Sequence, residues 1–264
     1  MPSSYASVVT VLRSAGCVFA EDEARLILST ARTPAELAAM VDRRATGLPL
    51  EHVLGWAEFS GLRIEVEPGV FVPRRRTEFL VRLAVALAPE APEASVVVDL
   101  CCGSGAVGAA LAASLPGVEL HAVDIDPAAV RCARRNVGAH GHVADGHVYE
   151  GDLFEPLPRT LRGRIGILAA NVPYVPTGEV GLLPAEARDH EPLVALDGGG
   201  DGLDILRRVA AGAPRWLAPG GSLLVETSER QTDLAVEIFA RSGLVPRLEV
   251  SEELYANVVI GTKS

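Results

Sequence analysis

The sequence predicts an α/β fold, a largely parallel sheet between helices, preceded by a small helical unit. Three observations predict it. Aliphatic or β-branched runs at 94–99, 119–123, 143–150 and 165–170 read as strands, and helical stretches separate the first three of them. The first 70 residues carry helical periodicity instead. Two strand-like runs, 244–250 and 255–262, close the chain as a terminal pair.

In chain order, the stretches 8–15, 21–29 and 34–46 each show apolar residues at helical spacing, so three short helices are expected. Thr33-Pro34-Ala35-Glu36 marks the third start, a capping box with proline at the first helical position. Runs 57–59 and 62–66 flank Ser60-Gly61 and read as a hairpin, closed by Pro68-Gly69. The expected division is 1–70, helical unit plus hairpin connector, and 71–264, the α/β domain. After the strand at 94–99, an alanine-rich helix runs to about Ser114, and Pro127 opens a helix over 128–137. Helices at 201–217 and 229–242 bracket a strand at 222–226. Strand and helix thus alternate up to the closing pair.

The strand ends carry the chemistry, because ligands of open α/β sheets bind at the carboxyl ends of the strands. Asp99 leads into Cys101-Cys102-Gly103-Ser104-Gly105-Ala106-Val107-Gly108, where glycines let a nucleoside cofactor's polar tail cross a strand-to-helix turn. A carboxylate here repels a pyrophosphate but suits an ammonium group, which favours S-adenosylmethionine over a dinucleotide. Asp124, about 20 positions on, is the candidate holder of a ribose hydroxyl pair. Asp152, in Gly151-Asp152-Leu153, places a carboxylate where an adenine amino group can donate. Taken singly, each aspartate also reads as a helix N-cap.

The fourth strand ends at Asn171-Val172-Pro173-Tyr174. This tetrapeptide looks like the Asn-Pro-Pro-Tyr signature of methyltransferases acting on amide or aminopurine nitrogens. The Asn171 oxygen and the residue 172 carbonyl can accept the two N–H groups of a planar NH2, and Tyr174 offers a face for stacking. Pro173 restricts the backbone on both sides of itself.

Together these motifs resemble the glutamine-N5 methyltransferase family that modifies release factors and a ribosomal protein. The resemblance covers nearly the whole chain. It extends to Gly69-Val70-Phe71-Val72-Pro73-Arg74 with Thr77-Glu78, to Glu191-Pro192-Leu193-Val194-Ala195-Leu196-Asp197-Gly198-Gly199 with Asp201-Gly202-Leu203, and to Pro219-Gly220-Gly221. It implies a class I S-adenosylmethionine-dependent methyltransferase, with a Rossmann-like seven-stranded sheet whose last strand is antiparallel. It also implies that the Cys101 to Gly105 backbone and Asp124 bind the cofactor, that Asp152-Leu153 adjoin its adenine, that Asn171 to Tyr174 hold the substrate amide, and that Asn171 adjoins the cofactor as well. The helical unit would recognise a protein presenting an exposed glutamine, such as a release factor. Three positions depart from the family pattern: Arg75-Arg76 replace a proline and a glutamate, Cys101-Cys102 stand where small residues are usual, and Val172 replaces proline.

Charge bears on the rivals. Residues 1–76 hold 9 basic and 9 acidic side chains, while 77–264 hold 15 and 25, so the α/β domain carries the whole net charge of −10. An adenine-N6 methyltransferase needs a basic groove, hinted at only by Arg74-Arg75-Arg76, and the bland reading of that triplet is a salt-bridged connector. No stable nucleic-acid binding is expected. A nicotinamide oxidoreductase leaves Asn171 to Tyr174 without a role, and a cofactor-binding module without catalysis requires Val172 to have spoiled the site. Glu191 has either an assisting or a structural place. No run of about 18 apolar residues or leader pattern is evident, and the four cysteines lack C-x-x-C spacing, which suits a cytoplasmic, reduced, monomeric enzyme. His140, His142 and His147 have no partner at ligand spacing, so no metal is expected.

Overall fold

The computed structural model describes residues 4–88, 96–140 and 146–264, apart from the His140 side chain. Four helices open the chain: α1 (Tyr5–Ser14), α2 (Ala20–Thr30), α3 (Pro34–Ala45) and α4 (Leu50–Leu54). Ser4 and Ser7 cap α1 reciprocally, and Thr33 Oγ1 accepts the Glu36 N–H to start α3. Glu36 reaches one residue past the expected partner and accepts from the Arg32 N–H at 2.8 Å. The fourth helix corrects the expectation of three. It is only five residues long, it begins after Pro49, and it is ended by Gly55 in the left-handed conformation, so it leaves no periodic signal. The helices enclose a separate small core around Val8, Leu12, Ile27 and Val41.

The hairpin β1 (Trp56–Phe59) and β2 (Leu62–Glu65) follows. A 3-10 turn at Arg75–Thr77 leads into α5 (Glu78–Leu87). The α/β domain then runs through β3 (Val96–Leu100), α6 (Ala106–Ser114), β4 (Glu119–Asp124), α7 (Pro127–His140), β5 (His147–Glu150) and β6 (Ile165–Ala170). It continues with α8 (Ala185–His190), α9 (Asp204–Trp216), β7 (Leu217–Thr227), α10 (Thr232–Arg241), β8 (Val245–Ser251) and β9 (Ala256–Thr262). Positions 94, 95 and 143–145 of the expected strands, and His142, lie outside the described residues.

The seven strands pair in the order β5-β4-β3-β6-β7-β9-β8, with β9 antiparallel to both neighbours and the other ladders parallel. Alternate strand residues feed two cores. Val97, Leu120, Ile167, Leu224 and Ile260 face α5 and α6, while Val98, Val123, Leu168, Val225 and Val259 face α9 and α10. β3 and β6 are adjacent, yet they leave the sheet towards opposite edges, so the carboxyl ends of β3 to β7 open around a switch point.

Two boundaries differ from expectation. α9 starts at Asp204 because Gly199 and Gly202 adopt positive φ, and the Asp201 carboxylate accepts the Leu203 N–H in a turn before the helix. β7 starts at Leu217, where Ile165 pairs with Leu217 and Ile167 with Ser222, so Pro219-Gly220-Gly221 sit inside an irregular strand.

Candidate active site

The strand ends surround a cavity of about 510 Å3 whose wall includes Asp99, Cys101 to Ser104, Asp124, Asp152, Leu153 and Asn171 to Tyr174. Its first half lies over β3, β4 and β5. Asp99 is 1 % exposed, and its Oδ2 accepts the Gly108 N–H at 2.8 Å. Burial, relieved in part by that bond and reinforced by the Asp124 charge, raises its pKa to about 7. Asp124 Oδ2 accepts the Gly103 N–H at 2.8 Å and its Oδ1 the Asp126 N–H at 2.9 Å, and burial raises its pKa as well. Neither carboxylate has a cationic partner among the described residues. Asp152 differs, since its Oδ2 accepts from Arg208 at 2.6 Å.

The glycine loop is braced largely by its own structure. Cys102 N–H donates to the Val123 carbonyl, Gly103 N–H to Asp124 and Gly105 N–H to the Cys102 carbonyl. Cys101, Gly103 and Leu153 have positive φ, which turns the backbone sharply at the cavity wall. Gly105 lies between the wall residues Ser104 and Ala106 and has a packing constraint of its own. A Cβ there would lie 2.9 Å from Ala133 Cβ, so glycine serves the approach of α7 to the loop. Burial pushes the thiols of Cys101 and Cys102 upward, which keeps them neutral.

The second half lies over β6 and β7. Asn171 Nδ2 donates to Thr77 Oγ1 at 3.3 Å, which leaves Oδ1 turned away from that contact. Among the described residues, neither Asn171 Oδ1 nor the Val172 carbonyl receives a hydrogen bond. Val172 is 2 % exposed and packs in the core of α9 and α10, so its side chain anchors the loop while its carbonyl remains available. The Tyr174 carbonyl accepts from Gln231 Nε2 at 2.9 Å. Gly198 and Gly202 pack so closely on this segment that a Cβ would come within 2.6 Å of the Pro173 oxygen and 2.2 Å of the Tyr174 oxygen.

Ion pairs enclose this half. Arg74 pairs with Glu191 at 2.5 Å, Arg76 with Glu226 at 2.9 Å, and Arg44 of the helical unit with Glu186 at 2.7 Å. The Glu191 oxygens accept from the Val72 N–H and from Arg74, so both are taken up in anchoring the connector. Arg74 and Arg76 thus follow the salt-bridged reading of the triplet. Sequence reasoning missed Arg76, Thr77, Glu226 and Gln231 as site residues. Only Glu226 had a signal, its place at the carboxyl end of a strand. Among the described residues, no group of His, Cys, Asp or Glu gathers to hold a metal, and no helix is long and apolar enough to cross a membrane.

Fold and cavity together define a class I methyltransferase. The family model "Methyltransferase small domain" matches residues 61–174. A release factor glutamine methyltransferase of Geobacter sulfurreducens is 42% identical over 213 residues, which cover 80% of this chain and 72% of that protein. A 4-amino-L-phenylalanine/4-methylamino-L-phenylalanine methyltransferase of Streptomyces pristinaespiralis is 36% identical over 207 residues, 77% of this chain and 69% of its own length. A methyltransferase structure from Pyrococcus furiosus shares the fold, with TM-score 0.57 and 17% identity over 77% of this chain and 90% of that one. The chain belongs to the release factor glutamine methyltransferase family. Its methyl donor is S-adenosylmethionine. The donor set fits that group, because two buried carboxylates without a cationic partner, Asp99 and Asp124, line the cavity where a cation-bearing nucleoside would sit.

Proposed function

We propose that the protein methylates the side-chain amide nitrogen, N5, of a glutamine in a peptide chain release factor. One observation carries this reading: Asn171 Oδ1 and the Val172 carbonyl are two hydrogen-bond acceptors without donors at the cavity wall, beside the Tyr174 ring. A planar NH2 group presents two N–H donors, so it satisfies both acceptors and its plane is fixed. Its nitrogen lone pair is delocalised, which makes orientation the main source of acceleration. When bound, S-adenosylmethionine supplies a methyl group on a positively charged sulfur, open to displacement by an amide nitrogen. Asp99 would hold the ammonium group, Asp124 the ribose hydroxyls, and the Asp152-Leu153 turn would adjoin the adenine. The paired charges around Asn171 and Tyr174 leave that half suited to a neutral acceptor. No strong base is required, since the amide proton becomes acidic only after methyl transfer and can pass to water.

The relative from Geobacter sulfurreducens supports a release factor as the acceptor. The helical unit of residues 1–70, joined to α8 by Arg44 and Glu186, would take up the protein substrate. The acidic α/β domain offers few phosphate contacts, which favours a protein over a nucleic acid. A release factor as substrate would accord with a cytoplasmic enzyme.

A second reading rests on the relative from Streptomyces pristinaespiralis, named for an aromatic amine acceptor. An arylamine NH2 is also planar and delocalised, and the same two acceptors would serve it. Intact-mass analysis with S-adenosylmethionine separates the two. The expected result is one added methyl on the release factor, lost when its Gly-Gly-Gln glutamine is replaced. An unmodified release factor with turnover of 4-amino-L-phenylalanine would replace the first reading by the second.

A further inference from the structure

Two successive residues of the connector grip the two ends of the tetrapeptide. Thr77 Oγ1 accepts from Asn171 Nδ2, and the Arg76 guanidinium donates to Tyr174 Oη. Arg76 Nε also donates to Glu226 Oε1 at 2.9 Å, and Tyr174 Oη donates to the same oxygen at 3.3 Å. Arginine, phenol and carboxylate therefore close a ring of three contacts. The Arg76 guanidinium carbon lies 5.9 Å from the Tyr174 ring centroid.

A tyrosine held only by its main chain keeps freedom about its two side-chain torsions, and its ring can tilt. Here the hydroxyl end has both a donor and an acceptor, which fixes where Oη lies, and because a phenol O–H prefers the plane of its ring, the bond to Glu226 also biases the ring's rotation about its own axis. Glu226 is what makes a cation necessary. Its carboxylate is 2 % exposed, its Oε2 has no hydrogen-bond partner among the described residues, and Arg76 is its ion-pair partner. Burying that carboxylate alone is unfavourable, so Glu226 draws Arg76 inward and Arg76 in turn captures Tyr174. The planar fork of a guanidinium can serve Glu226 and Tyr174 from different nitrogens, which the compact ammonium of lysine does poorly.

We propose that Arg76, held by Glu226, is a positioning residue of the acceptor site: it sets the angle of the Tyr174 ring on which the acceptor's planar group stacks. The inference rests on the reading that a planar amide is bound beside Tyr174, and it adds a determinant on an element outside the α/β sheet. Arg76 touches no reacting atom in this account. It acts through Tyr174, so its effect appears in acceptor turnover and not in cofactor affinity.

The experiment combines steady-state kinetics on a release factor, calorimetry with S-adenosylhomocysteine, and hydrogen exchange of the peptide spanning 171–175. Arg76→Met should lower kcat/KM for the release factor roughly 100-fold, the scale of a misplaced acceptor. S-adenosylhomocysteine affinity should stay at the wild-type value while exchange at 171–175 quickens. Tyr174→Phe removes only the hydroxyl that Arg76 holds and should reproduce most of the loss, even if Arg76→Met folds poorly. The Arg76→Met/Tyr174→Phe variant should then be no slower than the slower single variant, whereas multiplying losses would show two independent roles and overturn the proposal. Wild-type kcat/KM and exchange in a folded Arg76→Met variant would overturn it too, as would weakened S-adenosylhomocysteine binding. If the wild type leaves the release factor unmethylated, the acceptor reading fails. The exchange comparison needs no acceptor and still decides whether Arg76 holds the loop.

Discussion

The two halves of the cavity handle buried charge in opposite ways. Over β3 and β4, Asp99 and Asp124 are held by main-chain N–H groups and have no cation among the described residues. Over β6 and β7, the two buried carboxylates are each matched by an arginine, Glu191 by Arg74 and Glu226 by Arg76. Buried negative charge left unmatched on one side and neutralised on the other suits the two different ligands proposed for the two sides. The first side fits a cation, and the second fits a neutral planar group whose position matters more than its charge.

The largest effect should come from the acceptor side. Asn171→Ala removes one of the two acceptors proposed to orient the amide, and turnover should fall on the order of 100-fold or more. Cofactor affinity, measured by calorimetry, should hardly change. Equal loss in both would mean that Asn171 serves the whole cavity and that the halves are not separable.

On the cofactor side, Asp124→Ala should weaken S-adenosylmethionine binding roughly 10- to 100-fold, the scale of lost hydrogen bonds to a charged group. The same change removes the brace on the Gly103 N–H. Asp124→Asn, which keeps one acceptor oxygen, should fall between the wild type and the alanine variant. An alanine variant that binds the cofactor as the wild type does would remove Asp124 from that side.

A smaller effect follows pH. The Asp99 carboxyl, its pKa raised by burial to about 7 from the ordinary carboxyl value of 3.8, is protonated in the unliganded protein below neutrality. Only the carboxylate attracts an ammonium group, so cofactor affinity should fall by up to about tenfold per pH unit below 7, approaching that slope as protonation nears completion. Asp99→Asn should flatten the profile. The sign for folding is the reverse of the usual acidic case. Between the unfolded and folded pKa values the native state holds the extra proton, so this group's contribution to the stability of the unliganded protein declines as pH rises from about 4 through 7. An unchanged slope in Asp99→Asn would place the titrating group elsewhere.

Val172→Pro should have the smallest effect, within roughly threefold of wild-type turnover, because residue 172 is expected to act through a carbonyl that both residues possess. A large loss would mean that the buried valine side chain, packed in the core of α9 and α10, shapes the acceptor loop as much as its carbonyl does.

Legibility followed distance along the chain and not the two halves, since the Asn171 to Tyr174 tetrapeptide on the acceptor side was read from its own local pattern. The glycine loop, Asp99 and Asp124 stand out because their partners lie close in the chain: Asp99 holds Gly108 and Asp124 holds Gly103, at separations of 9 and 21 positions. Arg76 and Thr77 find their partners 98 and 94 positions away, and Arg76 meets Glu226 at a separation of 150. No local pattern encodes such distances, so Arg76 read as part of a charged triplet. The close approach of Ala133 to Gly105 was hidden for a related reason, because it comes from the next helix. The start of α9 was misplaced because Gly199 and Gly202 serve a loop packed on the tetrapeptide, whose close approach shows only in three dimensions.

The grip of the connector on the tetrapeptide also imposes an order of assembly during synthesis. The main elements of the donor's seat, from Asp99 through Leu153, lie on consecutive parts of the chain and leave the ribosome together. Arg76 and Thr77 emerge earlier still, but they wait for Asn171 and Tyr174, and Arg76 keeps an unmatched charge until Glu226 arrives at the end of β7. On the proposed assignment, a nascent chain acquires the place for the donor well before the place for the acceptor. Competence for transfer comes late, with the strand that carries the last partner of a residue made 150 positions earlier.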